Sequence, residues 1–115
     1  GLVDLIRAQS VFDLIFIDGW HHFDQIIADF HLSAQVCSPN GYLVFDDMWM
    51  PSVQSVASYV RHNRPDFEEI ATPEPNIVVF KKVGEDKRVW DDFHSFPIAS
   101  KRRKNGLIAR ALASQ

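Results

Sequence analysis

One cysteine, Cys37, stands among the 115 residues. It leaves no partner for an intramolecular disulfide and no basis for a multi-cysteine zinc site. A lone thiol fits a reducing compartment, and the expected location is cytoplasmic. Glycine is sparse, five in all, and no two glycines stand in G-x-G spacing. The Gly-rich turn that cradles a dinucleotide pyrophosphate is therefore missing. No apolar run approaches the ~18 residues of a membrane span, and no secretory signal opens the chain, so no membrane partner is expected. Basic charge is also short: 12 Lys and Arg against 15 Asp and Glu give a net charge of −3 and a pI of about 5.9. General nucleic-acid binding needs a basic surface and is disfavoured.

What is present is an ordinary globular composition, 46% hydrophobic and 12% aromatic, enough for one domain with a core of its own. The chain opens at Gly1 and passes straight into Leu2, Leu5 and Ile6, which have helical spacing. The expectation is a piece of a longer protein. Phe12–Asp18 is apolar on both alternation faces, as in a strand covered by helices on both sides. Phe23, Ile26, Ile27, Phe30 and Ala34 make the stripe of an amphipathic helix, with Asp24 in its first turn. Ser38-Pro39-Asn40-Gly41 reads as the turn after it. Tyr42–Asp47 is a second buried strand. Pro51 suits the first turn of a further helix, with Val53, Val56, Ala57 and Val60 as its apolar stripe and Pro65 as its stop. Phe67–Thr72 and Asn76–Val83 read as an antiparallel hairpin. After Gly84 the pattern weakens. The alternation predicts an α/β fold: parallel strands with right-handed crossovers, closed by the hairpin.

Ligands in such sheets bind beyond the carboxyl ends of the strands. Two successive strands end in acid, Asp18 on one and Asp46-Asp47 on the other. Neighbouring strands lie about 4.8 Å apart, so three carboxylates would converge and would require a cation. Oxygen ligands of this kind suit Mg²⁺ or another divalent ion. His21, three residues after Asp18, can face the same crevice and take a proton from a hydroxyl.

The stretches Phe12-Asp13-Leu14-Ile15-Phe16-Ile17-Asp18-Gly19-Trp20-His21-His22-Phe23 and Ser38-Pro39-Asn40-Gly41-Tyr42-Leu43-Val44-Phe45-Asp46-Asp47 resemble the second half of a class I S-adenosylmethionine-dependent methyltransferase. The likeness is to the metal-dependent O-methyltransferases, the macrolide-sugar group above all, with catechol O-methyltransferase more distant. The resemblance implies the second half of a doubly wound, Rossmann-like sheet over residues 1–83, with 84–115 as a tail. It implies Asp18 as a metal ligand beside the transferred methyl, in contact with the cofactor and part of the catalytic set. It implies His21 as general base, Asp46 and Asp47 as the remaining metal ligands, and Trp20 as a neighbour of cofactor and substrate. The implied reaction is methyl transfer from S-adenosylmethionine to the hydroxyl of a small molecule. The family's first strand, its Gly-rich loop and its ribose-binding acid have no counterpart here, so the chain alone is expected to be inactive.

Other features are weighed beside these. A receiver-like phosphoacceptor domain also carries an acidic pair and a strand-ending Asp, but there the pair precedes the phosphorylated Asp. An inactive fold fragment would expose a sheet edge open to association, homo-oligomers included. Trp49, between Met48 and Met50, either walls a pocket or packs. Asp91, Asp92 and His94 stand among Trp90, Phe93 and Phe96, which read as packing anchors. The run Lys101–Lys104 reads as a solvated surface, and Leu107–Ala113 as a short helix.

Overall fold

The computed structural model describes residues 1–8 and 10–98. Their elements are α1 (Leu2–Arg7), β1 (Phe12–Ile17), α2 (Phe23–Val36), β2 (Cys37–Phe45), α3 (Pro51–Asn63), β3 (Phe67–Ile70) and β4 (Val78–Lys82). The expected alternation is present. The tail segments Lys101–Lys104 and Leu107–Ala113 lie outside the described residues.

The four strands form one sheet in the order β1-β2-β4-β3. β1 and β2 are parallel, with Leu14 beside Tyr42 and Ile17 beside Phe45. β4 runs antiparallel to both β2 and β3. The expected hairpin therefore forms, and its second strand is driven into the sheet between β2 and β3. This mixed α/β sheet is consistent with a methyltransferase-like fold.

The helices bury one stripe each. Ile26, Phe30 and Ala34 of α2 and Val53, Val56, Ala57 and Val60 of α3 meet Ile17, Leu43, Phe45, Phe67 and Phe80 from the sheet. Phe23, expected in the α2 stripe, is exposed instead. Pro51 occupies the first turn of α3, where its missing N–H costs nothing. The C-terminal end of α2 is closed by a side chain from far along the sequence. Lys82 donates from Nζ to the carbonyls of Ala34 at 3.0 Å and Cys37 at 3.1 Å. A cation there satisfies orphaned carbonyls and opposes the helix dipole.

Three sequence expectations need correction. β1 is covered on one face only, because α2 and α3 both pack against the side carrying Ile17, Leu43 and Phe45. On the other face Phe12, Leu14 and Phe16 are exposed, with Phe16 67% exposed. Among the described residues nothing pairs with the outer edge of β1. Second, Ser38–Gly41 is not a turn before the strand but lies within β2. Phe12 pairs with Cys37 and Leu14 with Tyr42, so β2 takes up extra chain as a bulge. Asn40 there has φ 68. A Cβ on Gly41 would stand 2.9 Å from the Ser38 carbonyl oxygen and 3.1 Å from that of Asp13. Third, Trp90 and Phe93 are not packing anchors: they are exposed, Trp90 by 96%, and Phe96 alone of the three rings meets α3, edge-on to Tyr59.

Residues 84–98 carry no helix or strand, yet they are tied down. Asn63, buried at the end of α3, donates to the His94 carbonyl at 2.8 Å and accepts the His94 N–H at 2.7 Å. Arg88 grips Asp86 with two nitrogens and donates to the Tyr59 hydroxyl at 3.0 Å. Arg64 is buried, bidentate to buried Asp66, and lies over the rings of Phe30 and Phe67. Its Nη2 also stands 3.7 Å from Asp86. Among the described residues no helix is long and apolar enough to cross a membrane.

Candidate active site

The site is built where β1 and β2 end side by side. Their ladder runs on past the strands, since the Asp46 N–H donates to the Ile17 carbonyl at 3.1 Å. Gly19 then lies flat against the end of β2. A Cβ at this position would fall 2.7 Å from the Asp46 carbonyl oxygen, 2.8 Å from Val53 Cγ2 and 2.9 Å from Asp47 Cβ. No real Cβ tolerates such distances, so only glycine lets the two acidic strand ends meet. Asp18 and Asp46-Asp47 thus share one edge of the sheet, as the sequence predicts.

Their side chains do not converge. Asp18 turns back on its own chain, its Oδ1 accepting the Trp20 N–H at 2.9 Å. Asp46 Oδ1 accepts the Asp47 N–H at 2.9 Å and approaches the Asn76 amide nitrogen at 3.4 Å. Asp47 sits at φ 61, in the left-handed region that aspartate tolerates better than most residues. Its Oδ1 stands 3.4 Å from Trp49 Nε1, and its Oδ2 is buried with no hydrogen-bond partner. Among the described residues, no three His, Cys, Asp or Glu side chains form a group that could hold a metal. Asp18, Asp46 and Asp47, as arranged, do not fit the expected Mg²⁺ site. The backbone brings the acids to one place, and local hydrogen bonds turn them apart.

His21 is exposed one residue beyond Trp20, and His22 is the N-cap of α2. Trp20, 67% exposed, meets Trp49 edge-on, with ring centroids 6.0 Å apart and planes at 71°. Asn76 is a site residue that sequence reasoning missed. It precedes β4, and only the return of the hairpin carries it to Asp46. Its carbonyl also accepts the Met48 N–H at 3.1 Å.

The receiver-like alternative finds no support in this geometry. It needs a lysine at the acidic edge. Lys82 is at the opposite edge, on the carbonyls that end α2, because β4 runs antiparallel. Cys37 begins β2 at that same far edge. Burial pushes its thiol above the ordinary value, Lys82 opposes that shift and Asp13 adds to it. It has the character of a packed, inert thiol.

Residues 3–48 match a family model described as a methyltransferase domain. The matched span takes in β1, α2, β2 and all three site aspartates. A stretch of 52 residues is 36% identical to an uncharacterized protein of Acanthamoeba polyphaga mimivirus, covering 42% of this chain and 24% of that protein. The alignment thus reaches about a quarter of the relative's length. The family-model match supports a methyltransferase domain, and with it the use of S-adenosylmethionine in general.

Proposed function

We propose that this chain carries the acceptor-activating side of S-adenosylmethionine-dependent methyl transfer to a hydroxyl oxygen, as the second half of a doubly wound methyltransferase sheet. The observation that carries the reading is the pairing of strand ends through Gly19. It brings the end of β1, which carries Asp18 with Trp20 and His21 next in the chain, against the end of β2, which carries Asp46 and Asp47. The methyltransferase-domain match over the same residues supports it.

S-adenosylmethionine, when bound, supplies a methyl group on a sulfonium, open to direct displacement. Trp20 would offer it an indole face, and Asp18 a carboxylate. His21 would take the proton from the acceptor hydroxyl. Imidazole suits that task because it exchanges protons near neutral pH. Asp18 holds the Trp20 backbone and so fixes the segment that presents His21. Alignment of acceptor and methyl group supplies much of the remaining rate. Asp18, Asp46 and Asp47 as arranged are not a ligand set for a divalent cation.

The test uses the intact enzyme and labelled S-adenosylmethionine. His21→Ala lowers methyl incorporation by about a hundredfold or more, the usual contribution of a general base. An unchanged rate would sink the assignment of His21. Calorimetric titration with Mg²⁺ or Mn²⁺ checks the cation separately: saturable binding lost in Asp46→Ala would restore the three-carboxylate site.

A further inference from the structure

Two cavities adjoin away from the acidic strand ends. The first, about 260 Å³, is lined by His31, Gln35, Arg64, Lys82 and the acids Asp66 and Asp86. It lies where β2 begins, since Lys82 reaches the carbonyls of Ala34 and Cys37, whereas Asp46 follows the end of β2. The second, about 320 Å³, is lined by Ile27, Ala28 and Phe30 of α2 and by Tyr59 of α3. His31 and Arg64 line both. The pair has a polar end and an apolar end that meet at Arg64, the usual make-up of a small-molecule site.

Arg64 is only 5% exposed. Its Nε and Nη2 donate to Asp66 at 2.9 and 2.7 Å, and its guanidinium carbon stands 5.1 Å from the centre of the Phe30 ring. Nη1 donates to nothing among the described residues. It is not sealed in either, since Asp47 Oδ2 is the one fully covered side-chain polar atom there that lacks a partner. A buried charged donor with an open nitrogen beside a cavity calls for an acceptor. Lys82 adds to it: two of its three N–H groups serve the α2 carbonyls, and the third has no partner among the described residues. The acids do not cancel this. Asp66 is neutralised by Arg64, and Asp86 is gripped by Arg88 at 2.7 and 2.8 Å. Arg64, Lys82 and Arg88 set three positive charges against two negative ones, and the surplus is positive.

We propose that the two cavities are one binding site for a small amphiphilic carboxylate. Its apolar ring or chain lies among Ile27, Ala28, Phe30 and Tyr59, and its carboxylate meets Arg64 Nη1 and the free N–H of Lys82. The site is separate from the acidic strand ends and does not rest on the methyl-transfer reading.

The test titrates the ¹⁵N-labelled full chain with phenylacetate, phenylethanol and phenylethylamine, which share a ring and differ in charge, and with hexanoate. The backbone N–H signals of His31 and Arg64 report on the cavities, and that of Gly19 on the acidic strand ends. Phenylacetate or hexanoate is expected to move the His31 and Arg64 signals saturably while Gly19 stays still, the tighter of the two telling ring from chain. Phenylethanol binds about tenfold more weakly or worse, for want of the charge-assisted hydrogen bonds, and phenylethylamine does not bind. Ala28→Trp, at an exposed position of α2, fills the apolar cavity without touching the buried ion pair and removes the saturable shift. The proposal is overturned by no saturable shift with either carboxylate, by equal binding of the alcohol or the amine, by movement of Gly19 in place of His31 and Arg64, or by parent-like binding in Ala28→Trp. The series on the parent chain decides the matter even if that variant does not fold.

Discussion

Gly19 decides more than any other single residue. Its backbone is the surface on which Asp46, Asp47 and Val53 rest, and the nearest of those atoms is a carbonyl oxygen that cannot swing aside. Gly19→Ala is expected to cost about 1–3 kcal/mol by overpacking, read as a lower urea midpoint with an unchanged denaturant slope. At this scale the sequence is readable in position but not in direction. Asp18, Asp46 and Asp47 stand at strand ends because apolar runs stop there, and that pattern is plain. Where each carboxylate points is set by partners that no spacing announces: the Trp20 N–H for Asp18, and a left-handed backbone for Asp47. The convergence of charge drawn from strand spacing alone fails for that reason. Trp49 is the converse case, since its role as wall or core depends on which way a loop residue turns.

Helices and strands follow their apolar patterns closely, and the departures have physical causes. Ser38–Gly41 has the composition of a turn yet lies in β2, because a bulge can absorb Asn40 and Gly41 without breaking the ladder. Residues 84–98 have no period to read. They are held by side chains whose partners lie far off in sequence: Asn63 for His94, Tyr59 for Arg88, Arg64 for Asp86. Hydrogen bonds from Arg88 hold the Asp86 carboxyl well below the usual range, with Arg64 adding to the effect. The contribution of this attachment is whole above the ordinary aspartate value of about 3.9. It is lost as pH falls toward the lower folded value, where the native state too takes up the proton. The thermal midpoint of Asp86→Asn is therefore expected to approach that of the parent chain on acidification, and to trail it most at neutral pH. Parallel curves across pH 2–7 would contradict this.

The whole molecule is lopsided. α2 and α3 shield one side of the sheet, while Phe12, Leu14 and Phe16 meet solvent on the other, and the β1 edge has no neighbour among the described residues. An unpaired apolar edge is a template for association. Phe16→Lys is expected to shift the chain toward monomer in light scattering while changing its thermal midpoint little, since Phe16 is already exposed. A sequence reading sees only that β1 is apolar throughout; which face finds a cover depends on elements beyond that strand. The placement of β4 between β2 and β3 has its own consequence for how the chain comes off the ribosome. β3 emerges with no neighbour to join, and the sheet cannot knit together until residues 78–82 follow it out. Phe80, fully buried at the centre, is the last of the buried core residues in chain order among the described residues. Late closure of this kind, through contacts distant in sequence, makes assembly slow and leaves the nascent β1–β2 pair waiting in the open.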